Sequence, residues 1–328
     1  MKLRLSRLST AAALAALLPV AAAPALAQPF PTKTITMVVA YPAGGDTDVL
    51  ARILAEKLTA RTGQRVIVDN RPGASGAIGA AGVMRAAPDG HTLLLAPQTM
   101  AITPLVLRLG TGVNYDPSKD FTPVAKLGIN PLLLLSRAGD GPRDLKQLID
   151  MARHDKAVSY ASPGIGSPMH VAAEVLNHDA GVQIRHVPYR GVAPAVVDLM
   201  GGQITVAWLS PGAVAQQLGT GKLQPLAVSG ERRWPTLPQV PTFAELGYKG
   251  VDIVPWYGLF GPKGMPASTV TSLNHHVNEV LRLPDVAEKL RGLGIEPQGG
   301  EPARLRESVD ADWRSFSQRV KAFSIQAE

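Results

Sequence analysis

Two glycine-rich loops carry the residue types best suited to chemistry. The first reads Tyr41-Pro42-Ala43-Gly44-Gly45-Asp46-Thr47-Asp48. Gly44 and Gly45 allow a backbone to approach a ligand closely and to expose its N–H groups. The helix expected to follow, from Asp48 to Arg61, adds a partial positive charge that favours an anion by about 0.3–1 kcal/mol. The second loop reads Ser162-Pro163-Gly164-Ile165-Gly166-Ser167, with His170 one turn into the next helix. It has the same ingredients plus two hydroxyl donors. Facing one another across a cleft, the two loops could hold a carboxylate at each end of a small solute. Either loop alone also reads as a tight turn, with Gly at positive φ and Asp or Ser as an ordinary helix cap.

Further segments suit the same chemistry. In Val187-Pro188-Tyr189-Arg190-Gly191-Val192-Ala193-Pro194, Arg190 is a bidentate carboxylate clamp or a surface arginine. Asn70 to Gly76 forms another Gly-rich loop, and Asp198 reads as a structural acid. His170, His186, His275 and His276 do not form a metal set, because His275 and His276 are adjacent and cannot share a helix face. The frames of a nucleophile elbow, a dinucleotide fingerprint and a phosphate-binding P-loop are all missing. No metal and no cofactor is expected.

The elements that must position these loops alternate. Thr34 to Ala40 is a β-branched run that reads as a strand buried on both faces, and it leads straight into the first loop. Short strands then alternate with helices: Arg65–Val68, His91–Leu95, Leu132–Ser136, Val158–Ala161, Ile184–Val187 and Ile204–Trp208. That pattern implies parallel, doubly wound sheets, whose ligands sit beyond the C-terminal strand ends. A helix is expected from Pro168 to Asp179, and the end of the chain reads as mostly helical, over Ser268–Leu281, Asp285–Arg291 and Glu301 to about Phe323. The expected organisation is an α/β chain with two lobes, each with a parallel-dominated sheet. Residues 28–127 plus 254–328 form the first lobe and residues 128–253 the second. Crossovers are expected at Phe121–Leu135 and Val251–Phe260.

Composition narrows the function. The 328 residues are 45% hydrophobic and 18% charged, a globular balance. With no Cys there is no disulfide, thiolate metal site, Cys nucleophile or lipid-anchored Cys. Lys2, Arg4 and Arg7 precede an apolar run from Ala11 to Ala23 and the small-residue site Ala25-Leu26-Ala27, so residues 1–27 read as a cleaved signal peptide. Export without a lipid anchor suggests the periplasm. Those three basic residues belong to a net charge of +7, and the remainder are interspersed with acids. That argues against nucleic acid as a partner, and no later apolar run is long enough to span a membrane.

The blocks in which these residues stand are similar to one family. PFPTKTITMVVAYPAGGDTDVLAR, VIVDNRPGASGAIGA followed by APDGHTLL, YASPGIGSPMHVAAE, VPYRGVAPAVVDLMGGQI, PTFAELG and WYGLFGPKGMP occur in consistent order over nearly all of the chain after residue 27. They resemble the Bug-type extracytoplasmic solute-binding receptors of tripartite tricarboxylate transporters. The resemblance implies a two-lobed Venus-flytrap receptor of type II topology that closes on a small carboxylated solute. It implies ligand contacts from Tyr41, Ala43, Gly44, Gly45 and Asp48 in the first loop. Ser162, Gly164, Gly166, Ser167 and His170 would form the opposing wall, with Arg190 and Gly191 nearby. Two positions depart from the family pattern. Asp46 places a carboxylate inside the anion-binding loop; facing the cleft, it would repel a second carboxylate or recruit an ammonium, and facing solvent it would only cap the helix. Trp208 stands where a more polar segment is expected and would offer an aromatic surface if it lined the cleft.

The expectation is a monomeric periplasmic receptor without catalytic activity. It would capture a dicarboxylate, an amino acid or an aromatic carboxylate and present it to integral-membrane permease subunits, with no stable membrane insertion of its own. Alternatives are a periplasmic enzyme acting on a carboxylic acid, with His170 and Asp46 or Asp48 as its titratable pair, and the ligand-sensing input of a signalling system.

Overall fold

A computed structural model describes residues 30–189 and 191–325. The expected signal segment and Arg190 lie outside the described residues.

Residues from Pro31 onward form one compact unit. The β-branched run becomes β1 (Ile35–Val39), with Met37, Val38 and Val39 fully buried. It is followed by α1 (Asp46–Thr62), β2 (Val66–Asn70), a short 3-10 turn, α2 (Ala77–Met84), β3 (Thr92–Pro97), α3 (Thr99–Val106) and β4 (Phe121–Ile129). Next come β5 (Leu133–Arg137), α4 (Leu145–His154), β6 (Ser159–Ser162), α5 (Pro168–Ala180), β7 (Arg185–Pro188), α6 (Val192–Met200), β8 (Val206–Leu209), a second 3-10 turn, α7 (Ala215–Gly219) and β9 (Leu223–Val228). The chain ends with β10 (Trp256–Pro262), α8 (Ala267–Leu281), α9 (Pro284–Gly292), β11 (Glu296–Pro297) and α10 (Pro302–Ala322).

Local chemistry sets the helix ends. α1 stops at Gly63, whose φ of 70° lets its N–H return to Thr59 O. The Asp144 side chain caps α4 by accepting from Gln147 N at 2.8 Å. Pro168 opens α5, where its missing N–H costs nothing.

Two α/β sheets result, with strand orders β11-β4-β10-β3-β1-β2 and β7-β6-β8-β5-β9. β1 pairs parallel with β2 and β3, and β6 pairs parallel with β7 and β8. The strands that carry the chain between sheets break this pattern. β10 and β4 run antiparallel in the first sheet, and β5 runs antiparallel to β8 and β9 in the second. The sheets are therefore mixed, with parallel strands confined to the βαβ units. β4 stays in the first sheet to Ile129, past the expected boundary at residue 127.

The core follows the pleat. Leu133, Leu135, Ala161, Ala207 and Leu209 fill one face of the second sheet. Leu134, Tyr160, Val206 and Trp208 fill the other, as alternation along a strand requires. That second face is completed from outside its own segment. Ala101, Ile102 and Val106 of α3, with Phe316 and Val320 of α10 and Ile325 beyond it, join the same cluster. α10 thus adds its early part, through Leu305 and Val309, to the core of the first sheet and its late part to the core of the second.

Candidate functional site

The C-terminal ends of β1, β3, β6 and β7 each feed a helix, namely α1, α3, α5 and α6. Residues at the starts of all four helices line one cavity of about 410 Å³. Tyr41, Ala43, Gly45, Asp46 and Thr47 come from the β1–α1 loop, and Pro97, Gln98 and Thr99 from the β3–α3 junction. Ser167, Pro168 and Met169 open α5, and Gly191 and Val192 open α6. Asn130 and Leu132 on one crossing between sheets, and Pro255, Trp256 and Tyr257 on the other, complete most of the wall.

The first loop is braced from behind by Asp48, only 3% exposed. Its carboxylate accepts from Gly44 N at 2.9 Å, Arg52 Nε at 3.0 Å and Asn70 Nδ2 at 2.9 Å. Burial alone would raise this carboxyl. The hydrogen bonds from Arg52, Gly44 and Asn70, with the Arg52 charge, outweigh it and hold the group below its ordinary range. Asn70 also donates to Tyr41 O at 3.1 Å, tying the loop to β2. Gly44 has φ of 87°, which only glycine adopts without strain. The N-cap of α1 is Gly45, with no side chain to offer, so the first-turn N–H groups of α1 carry no side-chain cap.

Asp46 is the first residue of α1 and lines the cavity, whereas Asp48 faces the brace. Burial raises the Asp46 carboxyl above its ordinary range. Tyr257, which also lines the cavity, is likewise raised by burial, with the Asp46 charge adding to the effect and Asn130 opposing it.

The second loop is satisfied internally. Ser167 Oγ donates to Gly164 O at 2.8 Å and accepts from His170 N at 3.2 Å, so the hydroxyl caps α5. Ser162 is fully buried, with its Oγ 3.1 Å from Gly164 O and 2.7 Å from His186 Nε2. His170 lies behind the loop and accepts from Gly166 N through Nδ1 at 3.1 Å. Its ring stacks on His186 at 4.0 Å, and His186 stacks on Tyr160 at 4.8 Å. Burial, then the neighbouring His186, pushes His170 down to about 3, and burial pushes His186 down to about 4. Both rings are neutral at neutral pH.

Of the residues expected at the site, Tyr41, Ala43, Gly45, Ser167 and Gly191 line the cavity. Gly44, Asp48, Ser162, Gly164, Gly166 and His170 stand behind the lining and shape its two loops. Trp208 does not line it. The residue is 1% exposed and stacks on Phe243 at 5.0 Å, because its position on β8 turns it into the sheet's inner core. Gln98, Thr99, Asn130, Ser210 and Tyr257 line the cavity without having been singled out from the sequence. Gln98 and Thr99 were findable, since the strand-end rule applied to the first two loops also holds for β3. Asn130 and Tyr257 carry no such signal. Among the described residues, no three His, Asp or Glu side chains converge on a common metal position.

The chain matches the tripartite tricarboxylate transporter family receptor over residues 50–314. It belongs to that family, among the Bug-type receptors. Protein BugT of Bordetella pertussis is 36% identical over 286 residues, covering 87% of each chain. Among solved structures, the periplasmic binding protein BugD is 32% identical with a TM-score of 0.77, covering 91% of this receptor and 100% of that chain. A Rhodopseudomonas palustris protein solved with adipate is 35% identical with a TM-score of 0.80, covering 90% and 99%. MatC from the same organism, with bound malate, is 33% identical with a TM-score of 0.76, covering 89% and 100%. The receptor thus shares the two-lobed α/β fold of periplasmic binding proteins. No helix among its described residues is long and apolar enough to cross a membrane.

Proposed function

We propose that this receptor works in the periplasm, captures a small carboxylated solute without transforming it, and presents the closed complex to the permease subunits of a tripartite tricarboxylate-type transporter. The observation that carries this reading is the convergence of four helix N-termini on one cavity. Three of them, those of α1, α3 and α6, have no side-chain cap. Free N–H groups and aligned dipoles make such a place attractive to a carboxylate. The adipate and malate bound by two relatives are small carboxylates of a size this cavity accepts. Catalysis finds little support, because His170, the histidine of the titratable pair an enzyme would need, lies outside the cavity lining and is held neutral in a ring stack, which leaves Asp46 without its partner there.

In this reading the first sheet with its helices is one lobe and the second sheet the other. The lobes hinge at 130–132 and in the return segment before β10. A ligand touching both walls shifts an open–closed equilibrium toward the closed form, which the permease recognises. A thermal-shift panel of carboxylates on ligand-stripped protein tests the proposal. A cognate solute at about 100 times its Kd adds about 2.7 kcal/mol of stability. Failure of every small carboxylate to stabilise the protein, or conversion of a bound one to product, counts against it.

A further inference from the structure

The cavity's side chains are lopsided in their hydrogen-bonding needs. Asn130 is 4% exposed and lines the cavity, and its Oδ1 has no hydrogen-bond partner. Gln98 is 2% exposed, and its Oε1 is likewise unpartnered. The orientation of the Gln98 amide is fixed from its other end, since Nε2 donates to Asp312 Oδ2 at 2.8 Å. Asp312 also accepts from Trp256 Nε1 at 2.6 Å, so that carboxylate is anchored and the glutamine amide cannot profitably flip. Asp46 adds a carboxylate to the same wall, with no hydrogen bond or ion pair among the described residues. Among the described residues, no Lys, Arg or His lines the cavity.

Buried acceptors without partners are rare and costly, and a desolvated carboxylate more so. A ligand that satisfies them must donate hydrogen bonds and carry positive charge. A second carboxylate does neither. A quaternary ammonium has the charge but no N–H to give to Asn130 or Gln98.

We infer that the solute of this receptor is an amino carboxylic acid, with its carboxylate at the uncapped helix N-termini and an N–H-bearing ammonium at Asp46, Asn130 and Gln98. The inference rests on the receptor reading above and narrows its solute class: simple dicarboxylates of the same length are poor ligands.

Isothermal titration of the ligand-stripped protein tests it with three matched series. These are α- and ω-amino carboxylates of graded length, such as γ-aminobutyrate; dicarboxylates of equal chain length, such as glutarate; and N-trimethylated amino carboxylates. The wild type binds at least one amino carboxylate about 10- to 100-fold more tightly than its dicarboxylate and trimethylated counterparts, as expected for hydrogen bonds to a charged partner. Asp46→Asn keeps the size of the side chain and removes the charge; it abolishes or reverses that ranking. Asp46→Ser, equally compatible with the first turn of α1, does the same, and circular dichroism shows that both variants are folded. Three results overturn the inference. A wild type that prefers dicarboxylates sinks it while leaving the receptor reading intact. So does dicarboxylate affinity that rises as pH falls and is matched by Asp46→Asn, which would make Asp46 a protonated donor. If no carboxylate of any series binds, the receptor reading fails along with it.

Discussion

The β1–α1 loop and the β6–α5 loop look alike in sequence, each a Gly-rich turn with a polar residue at a helix start. In the structure they do opposite work. The first spends its side-chain bonding on a brace behind it, Asp48 with Gly44, Arg52 and Asn70, and leaves its helix end uncapped toward the cavity. The second turns its hydroxyls inward, with Ser167 capping α5 and Ser162 closing on Gly164 and His186. One loop is an open donor surface held rigid from behind. The other is a finished structural wall that a ligand meets mainly as shape. Residue composition alone cannot separate the two cases, because the same Ser or Asp satisfies either a neighbour or a ligand.

Acidification should break the second wall before the first. His170 and His186 have folded pKa values of about 3 and about 4, well below the ordinary histidine value. The unfolded chain therefore binds more protons than the folded one once pH drops below about 6.5. Their contribution is fully present above that pH and is lost as pH falls toward the folded values. Between about pH 7 and about pH 5 the two rings should remove on the order of 4 kcal/mol of stability. Chemical denaturation across this range checks it, and the pH slope should flatten in a His170→Gln, His186→Gln double variant. An unchanged slope would mean that the stack is not the acid-sensitive element.

Removing the brace should damage the first loop nearly as much. Asp48→Ala leaves Gly44 N without its acceptor, Asn70 Nδ2 with only Tyr41 O to donate to, and Arg52 without its ion pair. The expected loss is about 3 kcal/mol, with part of the Arg52 contribution screened because that side chain is half exposed. Solute affinity should fall as well, because the loop loses its shape. An Asp48→Ala protein that unfolds at the wild-type denaturant midpoint would remove the brace from the comparison.

The glycines differ in the same sense. A Cβ on Gly166 would lie 2.5 Å from Val106 Cγ2 and sit at φ of 73°, so strain and overlap add. Gly166→Ala should cost about 3 kcal/mol. A Cβ on Gly44 meets nothing within 4 Å, leaving only the positive-φ penalty of about 1–2 kcal/mol for Gly44→Ala. Gly45 has an ordinary φ of −82°, and its only neighbour to a Cβ is Pro42 O at 3.9 Å. Gly45→Val should therefore fold normally and lose solute affinity by filling the cavity. Equal stability losses at Gly166 and Gly44 would contradict the contrast between a packed wall and an open loop.

Much of this was legible in the residues. The alternation of β-branched runs with amphipathic stretches is a local signal, and it located β1, β3, β6, α1, α5 and α10 to within a few residues. α3 was missed because Pro104 sits inside it and its apolar face packs on the other sheet's core, a relation that no local window contains. Gln98 and Thr99 at its start were missed along with the helix, although the strand-end rule at β3 reaches them. Which way Trp208 faces was left open by the sequence, because parity along a four-residue strand is set by sheet register. Asp46 and Asp48 show the limit most clearly. Two acids two positions apart on a helix point to different sides, so one is braced and the other lines the cavity. Which is which depends on where Asn70 of β2 and the cavity fall in three dimensions.

The smallest expected effect separates binding from scaffolding at Ser167. If the second wall is finished without a ligand, this hydroxyl is already committed as donor to Gly164 O and as acceptor from His170 N. Ser167→Ala then removes a helix cap and should cost about 1 kcal/mol of stability. Solute affinity should change by less than about threefold, because no donor aimed at the ligand is lost. Denaturant midpoints and titration calorimetry on one sample measure both. A variant with wild-type stability but tenfold weaker binding would show Ser167 turning from its cap to the solute, and the two loops would then be partners of one kind. Unchanged affinity with reduced stability keeps them distinct, with the open helix end at Gly45 and the Asp46 wall as the parts that read the ligand.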